Sequence, residues 1–247
     1  MSTDLHPNAL PDKTRRILEK LSICQGLSEF TLIGGTALAL QVAHRFSEDL
    51  DLAASKIRLP RQDIDNLIAE LIDMGCIATL STNDFTRQQW DNEGGDIDDF
   101  QQDWNIDGVK ISFWTMNSEV QSNFVVQNRD YKLNNLNILS SDGIFELKSR
   151  LLVKRTASRD GFDLWYFLAH CGRSLDQIFA LAQAEDKYYS YDQLYQRLAP
   201  ANYPPYDPGF EAIMKGAPAN RDQLKKALAK YVKAFQEKIA ADLFKNV

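Results

Sequence analysis

The chain has 247 residues, 44% hydrophobic and 25% charged, with 12 glycines. That balance excludes collagen-like, coiled-coil and disordered classes, and the length suffices to bury a core without disulfides or structural metal. A net charge of −6 excludes a protein that coats nucleic acid nonspecifically, because such binding rests on neutralising phosphates with Lys and Arg.

Pro11 to Leu27 has apolar residues at Ile17, Leu18, Leu21, Ile23 and Cys24 in helical spacing and ends at Gly26, which predicts an opening helix. Phe30 to Ile33 predicts a strand, Gly34-Gly35 a tight turn, Thr36 to His44 a helix, and the alternating run Asp49 to Ala53 a second strand. Leu59-Pro60 breaks the chain before an amphipathic helix, Gln62 to Met74, closed by Gly75. A β-meander is expected next, made of Cys76 to Thr79, a polar stretch around Phe85 to Trp90, Trp104 to Ile106, an Asp107-Gly108 turn and Val109 to Trp114. Eight acids against Arg87 alone lie between Asp84 and Asp107, and this segment is expected in a loop and at the rim of a sheet.

Ser140-Ser141-Asp142 offers an N-cap to a helix from Gly143 to Arg155, and a second helix runs from Arg159 to His170. Ser174 to Gln183 and Tyr191 to Leu198 also read as helices, and a proline-rich loop, Ala201 to Gly209, precedes a lysine-studded amphipathic helix from Asn220 to Phe244. This order predicts an α+β fold, with an α/β part over residues 1–138 and a helical part over 139–247. The longest near-apolar run, Phe30 to Ala43, is too short and too polar for the ~20 apolar residues of a membrane span. Met1 to Pro7 carries neither the basic start nor the apolar stretch of a secretion signal, so a cytoplasmic location is expected. Cys24, Cys76 and Cys171 sit at wide spacings beside apolar neighbours and are expected to be reduced, buried thiols. His6, His44 and His170 show no ligand spacing with a cysteine, so any metal should be oxygen-ligated.

The informative constellation is Gly34-Gly35-Thr36 followed by Asp49-Leu50-Asp51. Two glycines at a strand-to-helix turn let backbone N–H groups approach an anion, and the helix N-terminus and the Thr36 hydroxyl add donors, which together make a phosphate cradle. On a strand, Asp49 and Asp51 point to one face while Leu50 and Leu52 point to the other, and two such carboxylates form half of a magnesium site. Phosphates and metal meeting at one edge of a sheet is what phosphoryl or nucleotidyl transfer needs. Between Lys148 and Arg159 there are five basic residues and no acid, a local positive surface for a phosphate-bearing ligand.

These residues resemble the nucleotidyltransferase fold of the DNA polymerase β superfamily, and the run from Gly34 to Leu52 resembles the AbiEii/AbiGii-type nucleotidyltransferase toxin family, with His44, Arg45 and Ser47 in the places of its His-Arg-x-Ser segment. A second matching block is Lys148, Arg155 and Arg159-Asp160-Gly161-Phe162-Asp163, and the two blocks span Phe30 to His170. The resemblance implies a mixed sheet with flanking helices, a helical C-terminal part contributing to the active-site cleft, and transfer of a nucleoside monophosphate from an NTP to an acceptor with loss of pyrophosphate. It implies Asp49 and Asp51 as ligands of two Mg2+ ions, Gly34, Gly35 and Thr36 on the triphosphate, and Arg45, Ser47, Arg155 and Arg159 as nucleotide-binding. Lys148 would neutralise the outer phosphates, with Asp160 and Asp163 in the catalytic wall. It further implies a toxin restrained by a cognate antitoxin and acting on an RNA, tRNA-like, or protein acceptor.

The superfamily often places a third carboxylate on a later strand, and in the expected equivalent, Val109 to Trp114, Ser112 stands there. Asp163 or Asp160 is the expected substitute, unless catalysis runs without a strong base. Two rivals follow: a nucleotidyltransferase with a small-molecule acceptor, and a degenerate domain that binds a nucleotide without turnover. Elsewhere the residues read as structure: Asp96-Ile97-Asp98-Asp99 as an exposed loop rather than a calcium loop, Trp90, Trp104 and Trp114 as packing residues on strands, and Lys225, Lys226, Lys230, Lys233 and Lys238 as a solvated helix face rather than an RNA guide.

Overall fold

The structure, a computed structural model, describes residues 5–82, 84–116 and 118–245. The first four residues, part of the segment read as lacking a secretion signal, lie outside them. The chain divides into two compact units, Met1–Ile144 and Phe145–Val247.

The first unit is organised by a mixed sheet of seven strands among the described residues. Helix α1 (Asp12–Ile23) leads into β1 (Phe30–Ile33), α2 (Gly34–Val42), β2 (Leu50–Ala54) and α3 (Arg61–Asp73). Then come β3 (Ala78–Leu80), α4 (Asp84–Asn92), β4 (Gln101–Ile106), β5 (Val109–Trp114), α5 (Glu119–Gln127), β6 (Arg129–Leu133) and β7 (Leu136–Leu139). The spatial order is β3-β4-β5-β2-β1-β7-β6. In it β1 runs antiparallel to β2 and parallel to β7, while β2 runs parallel to β5. This agrees with the expected α+β class.

Strand alternation sorts the two faces of this sheet. Phe30, Leu32, Leu50, Leu52, Ile111 and Phe113 are all fully buried, and the Phe30 and Phe113 rings meet edge to face at 5.2 Å. Thr31, Ile33, Asp51 and Ser112 occupy the alternate positions, so the polar residues share the other face. Asp107 and Gly108 both take positive φ, 48° and 79°, as a two-residue hairpin turn requires, and this expected turn joins β4 to β5.

Two parts of this unit depart from the expected meander. The stretch around Phe85 to Trp90 is helical, α4, held by the Trp90 ring on Phe100 at 5.2 Å and by Arg87 on Asp98 at 2.7 Å. The β6–β7 hairpin extends the sheet beyond the predicted strands, and helix α5 precedes it in the chain.

The second unit is helical. It contains the C-terminal part of α6 (Ser141–Leu151), then α7 (Ser158–His170), α8 (Leu175–Glu185), α9 (Tyr191–Leu198) and α10 (Arg221–Lys245). Helices α8 and α9 each start with a Ser–Gln capping box, Ser174 with Gln177 and Ser190 with Gln193. No helix among the described residues is long and apolar enough to cross a membrane. No disulfide joins the cysteines; Cys24 and Cys76 are buried as expected, whereas Cys171, past the end of α7, is exposed. Burial, aided by the nearby Glu70 carboxylate, pushes the Cys24 thiol up to about 11.

Candidate active site

The strand, glycine turn and second strand come together because β1 and β2 are antiparallel neighbours, with Ile33 opposite Asp51. Gly34 follows directly at φ 74°, the left-handed region that only glycine enters without strain. A Cβ on Gly34 would lie 2.9 Å from Asp51 Oδ2, so the missing side chain is what lets the turn and the carboxylate meet. Asp49 and Asp51 are both half-buried, flanking the buried Leu50.

Gly35 has a different reason to be glycine. A Cβ there would fall 2.2 Å from Arg45 Nη2 and 3.2 Å from Ser47 Oγ. Arg45 is only 2% exposed, with Nη1 donating to the Phe46 carbonyl at 2.9 Å, and thus sets a buried positive charge against the glycine turn. Thr36 is also buried; its hydroxyl touches Ser47 Oγ at 2.8 Å and the Asp49 carbonyl oxygen. A carbonyl can only accept, so the Thr36 proton goes to Asp49 and the Ser47 hydroxyl donates to Thr36. These bonds fix the turn to the start of β2, and the donors left for an anion are the backbone N–H groups of the first turn of α2. The intervening loop is anchored by Ser47 N–H to the Ala9 carbonyl and by Thr14 Oγ1 to the Glu48 carbonyl. His44 is fully buried.

Register carries the polar row further. Asp51 lies opposite Ser112 on β5, and Ser112 lies opposite Asp103 on β4, so all three side chains share a face. Ser112 therefore stands beside Asp51, where the sequence placed the absent acid. Sequence reasoning passed over Asp103, because only strand pairing shows that it shares this row. It forms an ion pair with Lys110 at 3.4 Å, and its Oδ1 and the Ser112 Oγ are buried without a hydrogen-bond partner.

The second block of candidates folds into the C-terminal unit as a buried ionic cluster. Lys148 near the end of α6 is 5% exposed, and its ammonium lies 3.0 Å from Asp163 Oδ2 and against Asp160 Oδ1. Asp160 and Asp163 stand three apart on one face of α7, both buried. Arg155 adds a 2.7 Å contact from Nε to Asp160 Oδ2. Burial pushes the Asp160 carboxyl upward, but Lys148 and Arg155 outweigh it and hold the group below the usual carboxylate range. A carboxylate held in this way is a poor base, which argues against Asp160 as the substitute for the missing third acid. Arg159 donates from Nε to the Gly209 carbonyl at 3.0 Å, and Asp207 of the same proline-rich loop accepts from the Ser158 N–H that opens α7.

The other candidates are structural. Asp96, Asp98 and Asp99 pair with Arg61, Arg87 and Arg58, so this acidic turn is neutralised by arginines. Trp90 sits on a helix rather than a strand, and Trp104 Nε1 donates to Gln102 Oε1.

With this geometry in hand, comparison decides the family. The family model for the nucleotidyl transferase AbiEii toxin of type IV toxin–antitoxin systems matches residues 16–245. The chain belongs to the AbiEii nucleotidyl transferase toxin family. It is thus a nucleotidyltransferase toxin of a type IV toxin–antitoxin system, a family that implies an NTP substrate and an antitoxin partner. An uncharacterized protein of Aquifex aeolicus strain VF5 is 28% identical over 180 residues, covering 70% of this chain and 74% of that one. The crystal structure of JHP933 from Helicobacter pylori is similar at TM-score 0.49 and 18% identity, covering 96% of this chain and 97% of its own. MenT4, a nucleotidyltransferase toxin from Mycobacterium tuberculosis H37Rv, is similar at TM-score 0.47 and 14% identity, covering 92% and 87%.

The residues of the first AbiEii block fit a hard cation. Asp49 and Asp51 offer carboxylate oxygens, and the bare Cα of Gly34 leaves room beside Asp51. No group of three or more His, Cys, Asp or Glu that could hold a metal occurs among the described residues, so a Mg2+ ion held here would complete its shell with water and phosphate oxygens.

Proposed function

We propose that this AbiEii-family chain transfers a nucleoside monophosphate from an NTP to an RNA acceptor in a magnesium-dependent reaction in the cytoplasm, under the restraint of a cognate antitoxin. The reading rests on one observation: the glycine turn leaves its Cβ space directly against Asp51, so anion-binding N–H groups and a metal-binding carboxylate converge. Bound Mg2+ would neutralise the phosphates and polarise the attacked phosphorus.

The chain's own residues do the rest. Gly34 and Gly35 present N–H groups to the triphosphate, with the buried Arg45 behind them adding positive potential that needs no reorganisation. Asp49 and Asp51 would hold the metal. An acceptor hydroxyl oxygen forms a bond to the α-phosphorus as the bond to pyrophosphate breaks, and its proton leaves to solvent. Lys148, Arg155 and Arg159 are proposed as phosphate-binding cations of the helical unit, with Lys148 held in place by Asp160 and Asp163.

The test is incubation with each α-labelled NTP, magnesium and total cellular RNA, beside the Asp49→Asn, Asp51→Asn double variant. Label on a discrete RNA band that requires both aspartates is the expected result. Label that persists in the double variant overturns the reading. Ser112 beside Asp51 favours one rival, a chain that binds NTP without turnover. Magnesium-dependent NTP binding with no pyrophosphate release, across RNA, protein and small-molecule acceptors, is the outcome that would select it.

A further inference from the structure

Within the C-terminal unit, α7 borders a cavity. Trp165 and His170 line an open cavity of about 500 Å3 together with Lys215, Lys230 and Tyr231, and the rest of its wall is alanine and glycine. That volume is in the range of small-ligand sites. No carboxylate lines it. Trp165 lies two residues beyond Asp163, roughly 200° around the helix, so its part of the wall is on the face of α7 opposite to Asp163, while His170 joins the wall from the end of the helix.

The lysines of α10 are not equivalent. Lys225 donates to the Ala201 carbonyl at 2.7 Å, Lys233 pairs with Glu237 at 3.9 Å, and Lys238 pairs with Asp176 at 2.7 Å. Lys230 on α10 and Lys215 in the preceding loop are exposed, pair with no carboxylate among the described residues, and both reach the cavity. Its aromatic wall is organised: the His170 ring meets the buried Trp165 edge-on at 5.4 Å and lies tilted by 32° against Tyr166, also at 5.4 Å.

We propose that this cavity holds one nucleotide of a single-stranded RNA acceptor, with its base against Tyr231 and His170 and its flanking phosphates on Lys215 and Lys230. The proposal rests on the RNA reading of the acceptor given above. Flat rings that take a base face, cations for phosphates and no competing acid are the components of single-strand recognition. A free nucleoside triphosphate shares this chemistry. The open rim, with its lysines on separate elements, suits a strand that enters and leaves.

The test measures binding of a short labelled single-stranded oligoribonucleotide, and separately of ATP, to the full chain at several salt concentrations. The Lys215→Gln, Lys230→Gln double variant should bind RNA about tenfold more weakly, and its slope of log affinity against log salt should fall by about 1.4, because each phosphate that a lysine neutralises adds roughly 0.7 to that slope. Tyr231→Ala should also weaken RNA binding about tenfold but leave the slope unchanged. ATP binding should not change in either variant. RNA affinity and slope unchanged in the double variant would overturn the proposal, as would loss of ATP affinity with RNA affinity retained, which makes the cavity a free-nucleotide site. Binding is read without turnover, so the two readings fail separately. A wild-type chain that ignores RNA while transferring label elsewhere removes the RNA acceptor, whereas one that binds RNA equally well in all variants removes only the cavity.

Discussion

The glycine turn and the Lys148 cluster are both polar, and both sit at or beside a helix start, yet they are built in opposite ways. At the turn, two missing side chains make room, and the carboxylates of Asp49 and Asp51 remain half-buried. In the cluster, an ammonium and two carboxylates are buried against one another, each sign answered by its opposite. The contrast teaches that the first arrangement keeps space for a charged guest, whereas the second holds its own charges in place. A buried ion set of this kind is costly to break from one side, because the partner left behind has neither water nor a counter-charge.

The sharpest way to break this comparison is Lys148→Met. It removes the ammonium that the buried Asp160 and Asp163 share, leaving Arg155 on Asp160, and should destabilise the chain by about 3–5 kcal/mol in urea unfolding. Combining it with Asp160→Asn and Asp163→Asn should recover most of that loss. A single variant costing under about 1 kcal/mol would show that the cluster is not a coupled buried set. Asp51→Asn should behave in reverse, lowering nucleotide transfer by about a thousandfold, roughly 4 kcal/mol of transition-state stabilisation, while the unfolding midpoint hardly moves.

Two smaller effects sharpen the picture. Gly35→Ala drives a methyl into the buried Arg45 guanidinium and should cost about 1–3 kcal/mol of stability, read by thermal unfolding, together with NTP affinity. Asp160, held below the ordinary carboxylate value by Lys148 and Arg155 despite its burial, binds its proton less readily folded than unfolded. Its contribution to stability is therefore fully present above a pH of about 4 and is lost as pH falls through the lower folded value. Urea midpoints followed from neutral to acid pH should fall less steeply in Asp160→Asn than in the parent chain.

Much of this was legible in the residues alone, for a local reason. Phe30 to Asp51 is a strand, turn, helix and strand in unbroken succession, so periodicity and the two glycines suffice to bring Gly34 toward Asp51. Helix α7 was equally legible, with Asp160 and Asp163 three apart and therefore on one face. Helix α4 was not, because Asp84–Asn92 carries only two apolar residues, Phe85 and Trp90, and owes its position to Phe100 and Asp98, both supplied from outside it. The β6–β7 hairpin was missed because its turn signal is Asn134, at φ 50°, rather than a glycine.

The sequence by itself determined the class of fold, the glycine turn, the Asp-x-Asp strand and the resemblance to AbiEii toxins, all of which depend on near neighbours in the chain. Only the tertiary structure decided that Asp51, Ser112 and Asp103 form one row, that Thr36 and Ser47 bond inward to the start of β2, and that Lys148 lies between two buried acids. It also decided which lysines meet a carboxylate and which line a cavity beside Trp165. Strand register, charge pairing and concavity are relations between distant segments, and no local pattern of residues encodes them.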